Sequence, residues 1–214
     1  MQLVSINTAL PQDVTWQGKI VRTSIFKQPV VGPVQVHAEH LAGDGQADLR
    51  VHGGRDKAVY AYSQEHHAYW RQYLPAAELV PGAFGENLTT TGLLESQVRV
   101  GDCFQIGTAV LMAIQPRRPC LKLGIRWQRP SIVREFEQAQ RSGIYFRVQQ
   151  EGLIQAGNAI TLVQPSAYAV TIQDLVEANA PGFQDQAKVR ALLALPYLSP
   201  TWRERLTRLL AAGT

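Results

Sequence analysis

The sequence predicts an α+β protein, with a β-rich domain over residues 1–165 and a small appendage of three helices over 166–214. Two observations carry this prediction. Up to Pro165 most apolar residues fall in short runs rich in β-branched residues, bounded by Gly, Pro or Asn, the pattern of strands joined by turns. From Thr171 the period becomes that of amphipathic helices. With 45% hydrophobic and 18% charged residues over 214 positions, the chain can bury one good core, and neither disorder nor a membrane protein fits that balance. No apolar run approaches the roughly 20 residues that cross a bilayer. The first six residues, Met-Gln-Leu-Val-Ser-Ile, lack a basic segment leading into an apolar one, so a cytoplasmic location is expected.

Taken in order, residues 2–6, 18–25 and 30–36 read as strands. A polar glycine-rich loop over 43–54 then runs into a strand at 59–62. Its Gly53-Gly54 pair lets backbone amides approach a ligand closely, and Lys57 is placed to neutralise a phosphate. The pattern matches neither the P-loop nor the dinucleotide fingerprint, and a polar hairpin with an exposed lysine accounts for it equally. Residues 63–74 read as a helix with Ser63 as cap and Pro75 as stop. His66 and His67 are adjacent and point to different sides of that helix, so packing or surface roles fit them better than one metal site. In the loop over 81–92, Glu86 and Asn87 offer an acceptor and a two-way amide suited to the polar edge of a heterocycle; a turn stabilised by the Asn side chain is the alternative. Residues 98–114 read as two strands around a glycine turn, with Cys103 in an alternating, core-like position.

That run delivers the chain to Gln115-Pro116-Arg117-Arg118-Pro119-Cys120-Leu121-Lys122-Leu123-Gly124, the most informative stretch. Two prolines within five residues deny it regular ladder bonding, so it reads as a rigid loop at a strand end. A thiolate is the form of cysteine that ligates metals or attacks, and Arg117, Arg118 and Lys122 would each stabilise it. A buried thiol lying beside arginines is the plainer alternative. The chain's two cysteines, Cys103 and Cys120, are too few for a disulfide framework and lack zinc-type spacing, so both are read as reduced. The net charge of +4 is modest and forms no long basic run, so it argues only weakly for nucleic acid, and a small anionic ligand accounts for it as well.

Beyond Gly124 a helix is predicted over 131–139 with Ser131 as cap, then a strand over 143–148 and two shorter ones ending at 159–163. Three helices follow over 171–178, 185–195 and 199–210, opened respectively by Thr171, by Asp185 and by Ser199 with Pro200 at the first helical position. They are too small to be securely stable alone.

Taken together, Val51 to Tyr60, Gly82-Ala83-Phe84-Gly85-Glu86-Asn87-Leu88, Val100-Gly101-Asp102 and Gln115 to Leu123 resemble the MOSC domain, named for the C-terminal domain of molybdenum cofactor sulfurases. The resemblance covers about residues 1–165, and the last helices resemble the extension of the bacterial stand-alone YiiM-type subgroup. It implies a β-barrel-like domain that binds a molybdenum pterin cofactor, with Cys120 matching the cysteine that ligates the metal. Arg117, Arg118, Lys57 and the Gly53-Gly54 amides would face the cofactor's phosphate and metal-oxo group. Glu86 and Asn87 would read the pterin edge, and His52, Gln115 and Lys122 complete the implied set. The subgroup is associated with reduction of N-hydroxylated bases such as 6-hydroxylaminopurine, with electrons from a separate flavoprotein reductase. Two cysteines cannot hold an iron–sulfur cluster, which needs about four thiolates, so an external donor follows if the chain is a reductase.

Two other functions use the same residues. Cys120 would carry a persulfide in sulfur transfer, although the sulfurases that do so bear a pyridoxal-phosphate domain upstream of the motif. A cofactor carrier without turnover would need the pocket alone. The sequence leaves open whether the chain forms a homodimer.

Overall fold

A computed structural model describes residues 1–47, 53–75 and 78–212. Its strands are β1 (Gln2–Thr8), β2 (Gln12–Trp16), β3 (Lys19–Thr23), β4 (Gln28–Pro29), β5 (Val34–Val36), β6 (Val59–Ser63), β7 (Leu88–Thr91), β8 (Cys103–Ile106), β9 (Ala109–Pro116), β10 (Ile144–Gln150), β11 (Gly152–Ile154) and β12 (Ile160–Gln164). Eight of them form one sheet in the order β12-β8-β9-β10-β6-β7-β1-β4. The pairs are antiparallel except β6 with β7. The longest strand, β9, is buried at every position except Val110, which is half-buried, because it lies between β8 and β10 and carries Ala109-Val110-Leu111-Met112-Ala113-Ile114.

The sheet curls until its ends meet. Leu3 N donates to Asn158 O at 2.9 Å, Gly157 N to Leu3 O at 2.7 Å and Ile160 N to Met1 O at 3.0 Å, so the chain's first strand is stitched to the segment entering β12. This closes the barrel-like domain expected from the family resemblance and covers edges that would otherwise be unpaired. Outside it, β2 and β3 make a hairpin whose turn residues Gln17 and Gly18 both have positive φ, 50° and 75°, as a two-residue hairpin turn requires. Of β2 only Trp16 is buried, which is why its sequence lacks a clear inward face.

The helices are α1 (His66–Trp70), α2 (Leu121–Arg126), α3 (Ile132–Ala139), α4 (Ile172–Ala178), α5 (Gln186–Leu193) and α6 (Pro200–Ala212). Around α1, α2 and α3 an aromatic cluster forms from Tyr60, Tyr62, Trp70, Phe84, Trp127 and Phe136. The helix predicted from Ser63 begins later, because Ser63 still belongs to β6. Ser131 adopts helical backbone angles and makes no side-chain cap; its hydroxyl accepts from Arg129 Nε at 3.2 Å. Thr171 forms a full capping box with Asp174, Asp185 caps α5 through Lys188 N, and α6 begins at Pro200 as its sequence indicates.

The predicted boundary near 165 marks a change of secondary structure, but the buried core runs across it. Ile172, Leu175, Leu192, Trp202 and Leu206 belong to the same cluster as Val100, Leu111 and Phe146. The terminal helices are therefore part of the main core's wall.

Candidate active site

β9 carries the chain out of the sheet at Pro116, and Arg117 to Pro119 lead to Cys120, whose extended backbone (φ −140°, ψ 176°) immediately precedes α2. The sequence reading of this stretch as a loop holds up to Cys120 and stops there. α2 was not foreseen because six residues containing Gly124 are too few to show a helical period.

Cys120, Lys57 and Tyr145 line two cavities. One is a cleft of about 860 Å³ bounded by Gly53 to Lys57, Gln115, Arg118 and Arg147, and on its far side by Ser199 to Trp202 at the start of α6. The other is a pocket of about 80 Å³ that also takes in Lys27, Asp44, Asn87, Arg117 and Lys122. Contacts that hold the loop carrying Gly53, Gly54 and Lys57 include the Arg147–Asp56 pair, Nη2 to Oδ1 at 2.5 Å, and donation from Gln115 Nε2 to Asp56 O and from Gln46 Nε2 to Lys57 O, each at 3.3 Å. Burial and nearby Arg118 lower the Lys57 pKa, with Asp56 opposing. His52 lies outside the described residues.

Arg117 is buried, at 7% exposure. Its Nη1 donates to Phe84 O and its guanidinium lies 4.8 Å from the centre of the Tyr60 ring. Burial works against the cation, but Tyr60, Tyr145 and Cys120 outweigh it, and the net effect raises its pKa. Arg117 thus gives the pocket a fixed positive charge from below, while Arg118 is exposed beside the cleft. Of the two cavities that Cys120 lines, Arg117 lines the pocket and Arg118 the cleft.

Glu86 and Asn87 were expected to face a ligand's polar edge, and the structure gives their side chains other partners. Glu86 is fully buried and accepts from Gly82 N at 2.8 Å, Phe84 N at 3.0 Å and Thr89 Oγ1 at 2.9 Å, so its carboxylate braces its own loop. Burial raises its pKa, and these same hydrogen bonds oppose the rise. The loop presses close to the preceding segment: a Cβ at Gly82, where φ is +83°, would come within 2.8 Å of Lys27 O. Asn87 reaches the pocket wall but spends Oδ1 on Tyr60 N at 3.1 Å and Nδ2 on Asp44 Oδ2 at 2.8 Å.

Lys27, Asp44, Tyr60, Tyr145 and the start of α6 are site residues that the sequence reading did not single out. Lys27 and Asp44 form a buried ion pair. Nothing local marks either: each is a lone charge in a loop, and only the fold brings them beside Cys120. His66 and His67 stay apart from the site; His66 Nε2 meets Glu95 at 2.8 Å, and His67 packs against Tyr62 and Phe84.

The donor set fits an anionic group carrying a soft metal. Cys120 offers one sulfur, and Lys57, Arg118, Arg117 and Lys122 surround it with positive charge. Among the described residues no three His, Cys, Asp or Glu side chains converge, so a metal held at Cys120 would bring its other ligands with it.

This combination of a closed mixed sheet and a lone cysteine in a cationic cleft agrees with the family comparison, in which the model described as the MOSC domain matches residues 48–161. The chain belongs to the MOSC domain family. Among its relatives, YflK of Bacillus subtilis is 36% identical over 201 residues, covering 94% of this chain and 90% of that protein. A protein of Gibberella moniliformis named a reductase is 34% identical over 168 residues, 76% of this chain and 30% of that longer protein. The crystal structure of YiiM from Geobacillus stearothermophilus has a TM-score of 0.79 at 36% identity and covers 98% of each chain.

Proposed function

We propose that this protein is a molybdenum cofactor-dependent reductase that cleaves the N–O bond of N-hydroxylated compounds, 6-hydroxylaminopurine-type bases among them. The observation that carries the reading is the place of Cys120, the half-buried sulfur shared by a large cationic cleft and a small polar pocket. Family membership and a relative named reductase support it. In this reading Cys120 would ligate the molybdenum, and the bound cofactor's metal would supply two-electron reduction. Gly53, Gly54, Lys57 and Arg118 hold the cofactor's phosphate in the cleft, where backbone amides and cations meet an anion at close range. Arg117 keeps positive charge beneath Cys120, and Arg147 fixes the phosphate loop through Asp56. A separate flavoprotein donates the electrons. No helix among the described residues is long and apolar enough to cross a membrane, in keeping with work in the cytoplasm.

The test uses protein made in a molybdenum-replete host, with elemental analysis alongside protein from a host unable to make the pterin. Reduced chemically, without any flavoprotein, the loaded protein should convert 6-hydroxylaminopurine to adenine. Molybdenum-loaded protein that reduces neither this base nor any other hydroxylamine would make it a cofactor carrier instead.

A further inference from the structure

The small pocket beside Cys120 is built around an ion pair more deeply buried than the Arg147–Asp56 pair of the cleft. At its wall Lys27 and Asp44, each 9% exposed, form an ion pair. Asp44 Oδ1 also accepts from Ala9 N at 2.9 Å, and Oδ2 from Asn87 Nδ2 at 2.8 Å. Asn87 is itself fixed by Tyr60 N. Segments from across the barrel therefore converge to hold one lysine at a cavity wall. Replacing a buried ion pair with apolar residues is often neutral or stabilising, so stability alone does not account for this one. Size sets the two cavities apart: about 80 Å³ against about 860 Å³ for the cleft, so the pocket suits a small polar head and the cleft a bulkier group.

We propose that this pocket receives the N–O–H head of the substrate and that Lys27, positioned by Asp44, is the general acid that protonates the departing oxygen. The inference rests on the reductase reading above. The reaction is R–NHOH + 2e⁻ + 2H⁺ → R–NH₂ + H₂O. The N–O bonding pair leaves with oxygen, Lys27 gives that oxygen a proton to make water, and solvent returns the proton to Lys27. Two electrons from the reduced flavoprotein or a chemical reductant, with one proton from solvent, make the new N–H bond. The charged groups acting on Lys27 are Asp44, Arg117 and Glu86, and Lys57, Lys122, Tyr60, Tyr145 and Cys120 share its pocket. Burial lowers the Lys27 pKa and Arg117 adds to this, while Asp44 and Glu86 oppose; the net effect favours proton release relative to an ordinary lysine. Because the pocket reads the head, ring identity should matter less than the N-hydroxyl group.

The experiment compares wild-type holoprotein with Lys27→Arg, Asp44→Asn and the double variant Lys27→Met/Asp44→Asn, using dithionite as reductant and 6-hydroxylaminopurine as substrate. Arginine keeps the ion pair but does not release its proton, so Lys27→Arg should retain molybdenum and lose about 10²–10⁴-fold in kcat, with a much smaller change in KM. An acid must be protonated to act, so the wild-type rate falls as pH rises through the Lys27 pKa. Lys27→Arg should lack that alkaline limb, and Asp44→Asn should move it to lower pH because the carboxylate no longer holds the proton. The double variant leaves no buried charge unpaired. In calorimetric titrations of the oxidised holoproteins it should bind acetohydroxamate, which carries the same head, about 10–100-fold more weakly than wild type. Wild-type turnover with an unchanged kcat and alkaline limb in Lys27→Arg would overturn the acid assignment alone. Equal acetohydroxamate binding by wild type and double variant would overturn the pocket assignment. Wild-type holoprotein inert toward every hydroxylamine would remove both together with the reductase reading.

Discussion

At the scale of single residues, the two cysteines separate function from packing. Cys120→Ser replaces a soft donor with a hard one that does not ionise near neutral pH. Under the proposed function, turnover of 6-hydroxylaminopurine should be abolished while circular dichroism and the thermal midpoint stay close to wild type. Cys103 is buried beside Met112 and Ile114, and burial, with Asp102, raises its thiol pKa. Cys103→Ser should keep nearly full turnover at a small stability cost, and equal loss in both variants would indicate a dithiol mechanism. Glu86 makes the opposite case, a charged residue whose contacts brace the fold. Glu86→Ala strands the Gly82 and Phe84 amides and the Thr89 hydroxyl, and should cost about 3 kcal/mol or more in urea denaturation. Cys120 was legible in the sequence because its cations lie within three residues of it. Glu86 was misread because burial, which no local pattern states, decides between bracing a loop and reading a ligand. Lys27 and Asp44 were invisible because their partnership spans distant segments.

At the scale of elements, buried polar contacts do the joining. Glu95 ties α1 to the start of β10, accepting from His66 Nε2 at 2.8 Å and from Gly143 N at 2.6 Å. Burial by itself would raise the Glu95 pKa, but the hydrogen bond and charge of His66 and the Gly143 amide outweigh it, so the net pKa lies below that of an ordinary glutamate. The native state therefore holds this proton less tightly than the unfolded chain. The stability from Glu95 is present above the unfolded pKa and is lost as pH falls through the lower folded value. Glu95→Gln should lower stability near neutral pH by roughly 1–3 kcal/mol and flatten its decline below about pH 4.5, as followed by urea melts across pH. The helix α6 carries Arg203, Arg205 and Arg208 and uses part of that charge internally. Arg203 donates to Leu193 O and Leu195 O, and Arg205 to Asn179 O, so both satisfy carbonyls at the ends of α5 and α4. Caps such as Thr171 and Ser199-Pro200 were readable because they are local. β2 and α2 were not, one for lack of a buried face and the other for lack of length.

At the scale of the whole molecule, the helices behave as part of the barrel's core. The motif loops all precede Gln164, so a cut there would spare the site if the β-domain carried its own core. The structure revises this: truncation would uncover the cluster that Ile172, Leu175, Leu192 and Trp202 complete, and would remove the Ser199 to Trp202 wall of the cleft. The truncated chain should therefore be insoluble or lack a cooperative thermal transition by calorimetry, and should retain no molybdenum. The stitching of Leu3 to Asn158 adds a constraint in time. During synthesis the first strand emerges more than 150 residues before its closing partner, and such distant contacts must bear their loop-closure entropy before any stabilisation returns. The nascent chain thus carries an open β-edge at Leu3 until the segment around Asn158 has left the ribosome, and the wall that Ser199 to Trp202 give the cleft can form only once α6 has followed.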